Sequence, residues 1–340
     1  MKISVIIPTF RRPKDLARCL VALTKQTRPV NEVIVTVRDI DTQTWDFFQQ
    51  LENSSSTGEK DLAKTGISPC SLPPAPCLSA LNLKTVTVTV TGVVAAMNAG
   101  MDAATGDIIA FTDDDAAPRA DWLEKIEAYF QADSQTAAVG GRDWQWVGEE
   151  LKEIGESEDV GRLQWFGRVI GNHHFAVGDA REVDVLKGVN MSFRRTAIQG
   201  LLFDERMRGT GAQVHFELAF NLALRRRGWK IIFDPAVAVD HYPAQRFDED
   251  QRDRFNGEAW SNAVHNETLV LLEHFSPLQR LVFIIWAFLI GTREALGIVQ
   301  LLRLLLSEGE VAKLKWVASV RGRWQGLQTW REMRNIELRI

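Results

Sequence analysis

The chain has 340 residues, 45% of them hydrophobic and 25% charged, which is the usage of a soluble globular protein and excludes a disordered chain, a collagen-like fibre or a disulfide-stapled miniprotein. Lys and Arg number 40 against 44 Asp and Glu, a net charge of -4, so there is no global electrostatic reason to bind nucleic acid. There are 11 Trp but only 2 Tyr, and surplus indoles suit flat ligand contacts or an interface with lipid headgroups.

Cys19, Cys70 and Cys77 form no CxxC pair and have no His beside them, which makes a reducing cytoplasm the expected compartment. The apolar start Ile3–Ile7 is too short for an export signal and is followed by Pro8. The longest uninterrupted apolar run, Leu281–Ile290, has ten residues, about half of the roughly 20 that a spanning helix needs.

In chain order, the β-branched run Ile3–Ile7 predicts a strand buried on both faces. Leu16, Cys19, Leu20 and Leu23 then recur as one helical stripe, and Val33–Val37 completes a βαβ unit. Residues 53–80 turn to Ser, Gly and Pro and predict a solvated surface insertion. Lys84–Val90 predicts a strand, Val93–Ala104 a helix of small residues ending near Gly106, and Asp107–Thr112 a further strand. Asp121 N-caps a helix, and Ala137–Val139 is a short strand closed by Gly140-Gly141. Strands alternating with helices imply an α/β fold with a mostly parallel sheet. Such a sheet binds ligands beyond the carboxyl ends of its strands, where Pro8–Arg12, Arg38–Asp41 and Asp113–Asp115 fall. Further on, Val183–Leu186 predicts a strand before Gly188, Phe216–Arg227 a helix, and Ile231–Phe233 a strand. His173-His174 reads as loop surface, and the last 65 residues or so predict helices with apolar stripes over Leu278–Ile290 and Leu296–Leu306.

The strongest chemical signal is Asp113-Asp114-Asp115 at a strand end. Three adjacent acids repel one another unless a cation or a set of donors compensates them. In a strand, residues i and i+2 point the same way, so Asp113 and Asp115 can share Mg²⁺ or Mn²⁺. The alternative is that the triplet caps the helix that follows.

In this setting the chain resembles the family 2 inverting glycosyltransferases of GT-A fold. The resemblance rests on Val5-Ile6-Ile7-Pro8-Thr9-Phe10-Arg11-Arg12, on Ala95–Gly100 leading through Ala104–Phe111 into the acidic triplet, on Gly188–Arg195, on the helix with Glu217, and on Phe233-Asp234-Pro235 before His241. It covers residues 1–245 and departs from the family pattern at Met97, an Arg in the family, and at Phe216-Glu217, where the family has Glu-Asp. It implies a GT-A domain over 1–245, with a nucleotide-binding half to about 142, an acceptor half over 143–245 and a helical extension over 246–340.

The resemblance further implies a Mn²⁺ or Mg²⁺ ion held by Asp115, by Asp113 directly or through water, and by His241. Glu217 would be the catalytic base, Pro8, Thr9, Arg11, Arg38, Asp39, Asn98, Asp113 and Asp114 would meet the nucleotide-sugar donor, and Gly188 and Asn190 would form the donor and acceptor contact loop. Trp144, Trp146 and Trp165 fall in the segment that shapes the acceptor site and could stack on sugar rings. Bland alternatives stand beside these roles: a helix-dipole contact for Glu217, an ordinary hydrogen-bonded His241, solvated loop residues for Arg11 and Arg12, and core or interface wedges for the indoles. The donor expected is a nucleotide-diphosphate sugar, a UDP-sugar in preference, and the acceptor a saccharide or lipid-linked hydroxyl in bacterial polysaccharide or glycolipid assembly. Other readings are a nucleotide-sugar-binding protein without turnover and a sugar-phosphate nucleotidyltransferase, although Pro8–Pro13 lacks the glycines of a phosphate loop. From residue 275 onward ten Lys and Arg face five Asp and Glu. That basic, Leu- and Trp-bearing end suits in-plane contact with the inner face of the plasma membrane, or a hairpin packed on the catalytic domain or on a second subunit of a homodimer.

Overall fold

The computed structural model describes residues 1–56, 78, 80–152, 155–249 and 254–337. Most of the expected 53–80 insertion, with Cys70 and Cys77, lies outside the described residues.

The chain opens with strand β1 (Ile3–Thr9), helix α1 (Pro13–Thr24) and strand β2 (Glu32–Arg38). Pro13 stands in the first turn of α1, where its missing N–H costs nothing, and the stripe Leu16, Cys19, Leu20 and Leu23 is buried. A helix that the residue pattern did not announce, α2 (Thr42–Ser56), follows; Asp41 starts it by accepting from the Thr44 amide and hydroxyl at 3.1 and 2.7 Å. The start of the expected insertion therefore continues this helix. Next come β3 (Leu83–Val88), α3 (Val93–Ala103), β4 (Ile108–Thr112), the short β5 (Ala116–Pro118), α4 (Trp122–Ala132) and β6 (Thr136–Val147). The short strand read at Ala137–Val139 thus runs four times as far.

In the second half a small β7 (Glu150–Leu151) pairs with β6, and β8 (Arg162–Leu163) pairs with β9 (Val169–Ile170) as a separate ribbon. Then follow β10 (Arg181–Glu182), β11 (Asn190–Arg194), α5 (Arg195–Ile198), α6 (Phe216–Arg226) and β12 (Lys230–His241). Val183–Leu186 is not a strand. The run is buried but irregular, because the amides of Asp184 and Val185 turn to the Gly161 carbonyl and that of Val183 to Ile231. Burial without a partner strand leaves an apolar run outside the ladder. Helices α7 (Gly257–His274), α8 (Pro277–Leu289), α9 (Ile298–Glu308) and α10 (Glu310–Glu337) close the chain.

The main sheet has the order β10-β12-β6-β11-β4-β1-β2-β3. The pairs β4-β1, β1-β2, β2-β3 and β12-β6 are parallel, while β11 runs antiparallel to both its neighbours and β10 antiparallel to β12. All the other strands along this path share one direction, giving the expected mostly parallel sheet flanked by helices. Side chains alternate across it: Ile3, Val5 and Ile7 face a core with Leu16, Leu20 and Trp122, whereas Ile6 faces one with Phe111, Phe193 and Phe220. The second core also takes in Leu269–Leu272 of α7 and Phe283 of α8, so the terminal helices pack into the sheet domain.

Two details set the site. The register of β12 against β6 shifts between Asp234 and Val239, where Pro235 has no N–H to give, and the backbones close up. A side chain at Gly141 would come within 1.9 Å of the Val237 carbonyl, which is the reason for the second glycine. Beyond the shift β12 also pairs with β5, His241 opposite Ala116. Helix α10 lies close on α7 because Gly322 and Gly326 admit the backbone carbonyls of Ser261 and His265.

Candidate active site

The carboxyl ends of β1, β2 and β4 open onto a cavity of about 710 Å³. Where β4 ends, the chain carries Asp113-Asp114-Asp115 into β5, and β5 pairs with the end of β12, bringing His241 to them. One ligand atom each from Asp113, Asp115 and His241 lies within a 4.8 Å span.

The three acids divide as expected, although they sit in the turn between β4 and β5, closed by the Ala116 amide on the Asp113 carbonyl at 3.2 Å, and not in a strand. Asp114 turns into the protein, accepts the Thr9 hydroxyl at 2.7 Å and meets the Arg12 guanidinium at 2.7 Å. Asp115 accepts from Arg12 at 3.1 Å and from the Ala244 amide at 3.0 Å with one oxygen. Its other oxygen stands 3.4 Å from His241 Nε2, and neither atom has a hydrogen-bond partner. Buried polar atoms are almost always satisfied, and an orphaned carboxylate oxygen facing an orphaned imidazole nitrogen, with Asp113 beside them, is a donor set that could hold a divalent cation. These oxygen and imidazole ligands fit Mn²⁺ or Mg²⁺.

Behind this group sits Asp143, in the extended part of β6. It meets His241 Nδ1 at 3.3 Å and Lys187 Nζ at 2.5 Å. A carboxylate behind a metal-binding imidazole fixes its orientation. Burial opposes charge on His241, but Asp115 and Asp143 outweigh it and lift its pKa to about 9. Burial lifts Asp114 to about 7 despite Arg12, and burial with the charge of Asp115 raises Asp113. Asp115 moves the other way: burial would raise it, but His241, Arg12 and the Ala244 amide hold it down.

Glu217 lies in the first turn of α6, where burial raises its pKa and Asp113 adds to the rise. It borders the 710 Å³ cavity and also a second cavity of about 1030 Å³, which is walled by the 169–174 and 208–218 segments, α7 and the start of α10. Lys187, Ala212, Val214 and Asp248 line both cavities as well, so the two meet at Glu217. Phe216 packs against Gly188, where a Cβ would sit 2.8 Å from its ring. His215, just ahead of α6, has φ of 76° and Gln213 has 42°, a strained bend that turns the helix start toward the cavity. Gln213 spans the gap: it accepts the Val94 amide at 3.0 Å and donates to the Met207 carbonyl at 2.6 Å.

Pro8, Thr9, Arg11, Arg38, Asp113, Asp115, Gly188, Glu217 and His241 all line the first cavity, and Arg12 does too. Arg11 is held in the left-handed region (φ 59°) by Asp41, which accepts its amide at 2.6 Å, and it lies 4.9 Å over the Phe10 ring. Asp39 is ion-paired with Arg38 at 3.7 Å and does not line the cavity. Asn98 and Asn190 are not brought to it. Asn98 exchanges two hydrogen bonds with the Phe203 backbone, at 3.0 and 2.8 Å. Asn190 is buried, accepting the Trp122 indole N–H at 2.9 Å and donating to the Val237 carbonyl at 2.8 Å.

The three indoles expected at an acceptor lie elsewhere. On β6, Trp144 and Trp146 point to the face opposite Asp143. Arg142 and Arg119 both lie over the Trp144 ring, at 3.5 and 4.9 Å from its centroid, and Trp146 stacks on Tyr242 and donates to Asp240. Trp165 is 61% exposed beside Phe166, outside both cavities. His173, read as loop surface, is buried: its Nε2 pairs with the Val185 carbonyl at 2.9 Å, its ring packs on Phe233, and burial brings its pKa down to about 4.

Residues 81–202 match the family model "Glycosyl transferase family 2". The chain is 30% identical over 124 residues to Glycosyltransferase AglE of Haloferax volcanii, a match that spans 36% of this chain and about a third (33%) of that relative's length. In fold it is similar to a mannosyltransferase of Pyrobaculum calidifontis, solved in complex with GDP-Man and Mn²⁺, at a TM-score of 0.55 and 16% identity over 95% of this chain and 87% of that one. It is also similar to residues 1–349 of S. aureus TarS in complex with UDP, at a TM-score of 0.52 and 14% identity over 98% and 92% of the two chains. The matched segment contains both the acidic triplet and Gly188–Asn190, so this part of the chain is similar to glycosyl transferase family 2, and the fold of the whole is GT-A.

Proposed function

We propose that the protein is a metal-dependent inverting glycosyltransferase that moves a sugar from a nucleotide-diphosphate donor, a UDP-sugar in preference, to a hydroxyl of a saccharide or lipid-linked acceptor. The observation that carries this reading is the position of Glu217 between two cavities, one of which contains the Asp113, Asp115 and His241 group. The GDP-Man, UDP and Mn²⁺ of the two structural neighbours support a donor of this class.

In this reading the first cavity holds the donor, with the nucleoside against Phe10, Arg11 and Arg38 and the diphosphate toward Asp113 and Asp115. A divalent cation, when bound, supplies positive charge to the departing diphosphate. The acceptor hydroxyl enters from the second cavity, and its oxygen bonds to the anomeric carbon as the bond to the diphosphate oxygen breaks. Glu217 takes the hydroxyl proton, and its raised pKa brings it nearer to the value a general base needs at neutral pH. Attack from the side opposite the leaving group inverts the anomeric centre. Lys187, at the junction, is fixed by Asp143 and adds charge beside the departing group. The domain division follows: residues 1–245 carry the chemistry, and the helices of 246–340 wall the acceptor side, with Trp260 as its indole platform.

The test is Glu217→Gln with a UDP-sugar, Mn²⁺ and a hydroxyl acceptor. Turnover should fall by about 10²–10⁴ while the thermal shift with UDP and Mn²⁺ is kept. Unchanged turnover removes Glu217 as the base, and a protein that no nucleoside diphosphate stabilises in the presence of Mn²⁺ loses the transferase reading itself.

A further inference from the structure

The C-terminal helices present their apolar side outward. Among the described residues, thirteen of the twenty-one exposed large apolar side chains fall between Leu278 and Trp324. On α8, Leu278, Leu281, Ile285 and Leu289 recur at helical spacing on the exposed face, while Phe283 and Ala287 face the core. The two polar residues of α8 are used inward: Gln279 completes a capping box with Ser276, and Arg280 donates to the Leu272 carbonyl and lies over Trp330. The outer side of α9 repeats the pattern with Ile298, Val299, Leu302 and Leu306, the last of them 95% exposed. Leu314, Val317 and Trp324 continue it along α10. Helices α8, α9 and α10 pack in succession, so this is a contiguous run of outward apolar faces, far more than the scattered surface residues of a monomer.

Charge decides between the possible occupants. Lys313 and Lys315 are paired with Glu310 and Glu308, and Arg323 is buried near Glu267. Arg293, Arg303 and Arg321 are exposed and have no carboxylate partner among the described residues; of the acids in this stretch only Glu294 also remains unpaired there. A second copy docked on a twofold axis would set this cationic surface against itself. Anionic headgroups complement it. Among the described residues no helix is long and apolar enough to cross a membrane, so the lipid contact proposed is in the plane of the interface.

We propose that the outer face of α8, α9 and α10 is a peripheral docking surface for an anionic lipid bilayer, with the apolar side chains in the headgroup and acyl boundary and Arg293, Arg303 and Arg321 on the phosphates. The same helix, α10, begins at the second cavity, so docking brings the mouth of that cavity close to the lipid surface.

The experiment is flotation of the full chain, without donor or metal, on vesicles of phosphatidylcholine with or without 25 mol % phosphatidylglycerol. Binding should require phosphatidylglycerol, weaken in 0.5 M NaCl, fall more than tenfold in Leu281→Asp/Leu302→Asp, and fall roughly twenty-five-fold in Arg303→Ser/Arg321→Ser, at about fivefold per arginine near the surface. All these positions are exposed, so each variant should keep the parent melting temperature and its thermal shift with UDP and Mn²⁺. Absence of binding, or binding that both variants retain, overturns the proposal. So does a concentration-dependent dimer in sedimentation that Leu281→Asp/Leu302→Asp dissolves while vesicles recover no protein, since the face then belongs to a second copy. Because no donor is present, these outcomes are independent of whether the transferase reading holds.

Discussion

Arg12 offers the most direct probe of the acidic site. Its guanidinium meets Asp114 at 2.7 Å and Asp115 at 3.1 Å, and both carboxylates are essentially buried whereas Arg12 is 21% exposed. Removing one partner of a fully buried ion pair costs about 3–5 kcal/mol. With Arg12 partly screened and Thr9 and Ala244 still donating to the acids, about 2 kcal/mol is expected for Arg12→Ala in EDTA, a fall of roughly 3 °C in melting temperature for a chain of 340 residues. Arg12 and a divalent cation neutralise the same acids, so each should weaken the other's hold, reciprocally. Mn²⁺ should therefore stabilise Arg12→Ala by more than it stabilises the parent protein, recovering at least half of the deficit. A tenfold tighter ion in the variant corresponds to an extra 1.4 kcal/mol or so at saturation. The assay is thermal denaturation of both proteins over a Mn²⁺ titration, with calorimetry for the affinities. Equal Mn²⁺ shifts in the two proteins would refute the shared-acid reasoning, and an unchanged melting temperature in EDTA would refute the ion pairs themselves.

Three further outcomes are expected. His241 titrates at about 9 in the folded protein, above its ordinary value, so its charged form contributes stability at acid and neutral pH that is lost as pH rises through about 9. Because a proton competes with the ion for the imidazole, Mn²⁺ affinity should climb up to tenfold per pH unit between about 6.5 and 9, with release of a proton; calorimetry showing a flat affinity and no proton release would argue against His241 as a ligand. Gly188→Ala forces the Phe216 ring to move, since the added Cβ would sit 2.8 Å from it. Turnover should drop severalfold or more with only about 1–3 kcal/mol of stability lost, and parent-like turnover would show that the position of α6 is not critical. Arg323→Met leaves Glu267 buried without its cation at 3.7 Å and should cost about 3 kcal/mol in urea denaturation, most of it recovered by Glu267→Gln in the double variant; additive losses would exclude the coupling.

The order of strands, the acidic triplet and the position of Glu217 were legible because each is local. β4 is apolar up to Phe111 and β1 is interrupted before Pro8 only by Ser4, and three adjacent acids need compensation wherever they fold. Asp143 was not legible: it is a lone acid in a strand whose visible apolar part ends at Val139, and its partners Lys187 and His241 are 44 and 98 residues away. The tryptophans misled for a related reason. With β6 read as ending at Gly141, nothing showed that Trp144 and Trp146 alternate with Asp143 and so point away from it. Asn190 was placed in the loop by its motif, but the indole of Trp122 takes up its amide oxygen, a contact between distant elements that no local pattern records. Helix α2 escaped because its exposed face is Thr, Gln and Asp, and only Asp41, in a turn, marks its start.

The pairing of β5 with β12 has a consequence in time. Asp113 and Asp115 leave the ribosome more than a hundred residues before His241, and it is the register His241 opposite Ala116 that brings them together. A nascent chain that ends before β12 lacks His241 and has only two of the three proposed ion donors, so capture of an ion would report the long-range closure of the sheet. In the proposed mechanism, transfer then waits until synthesis has passed the last strand.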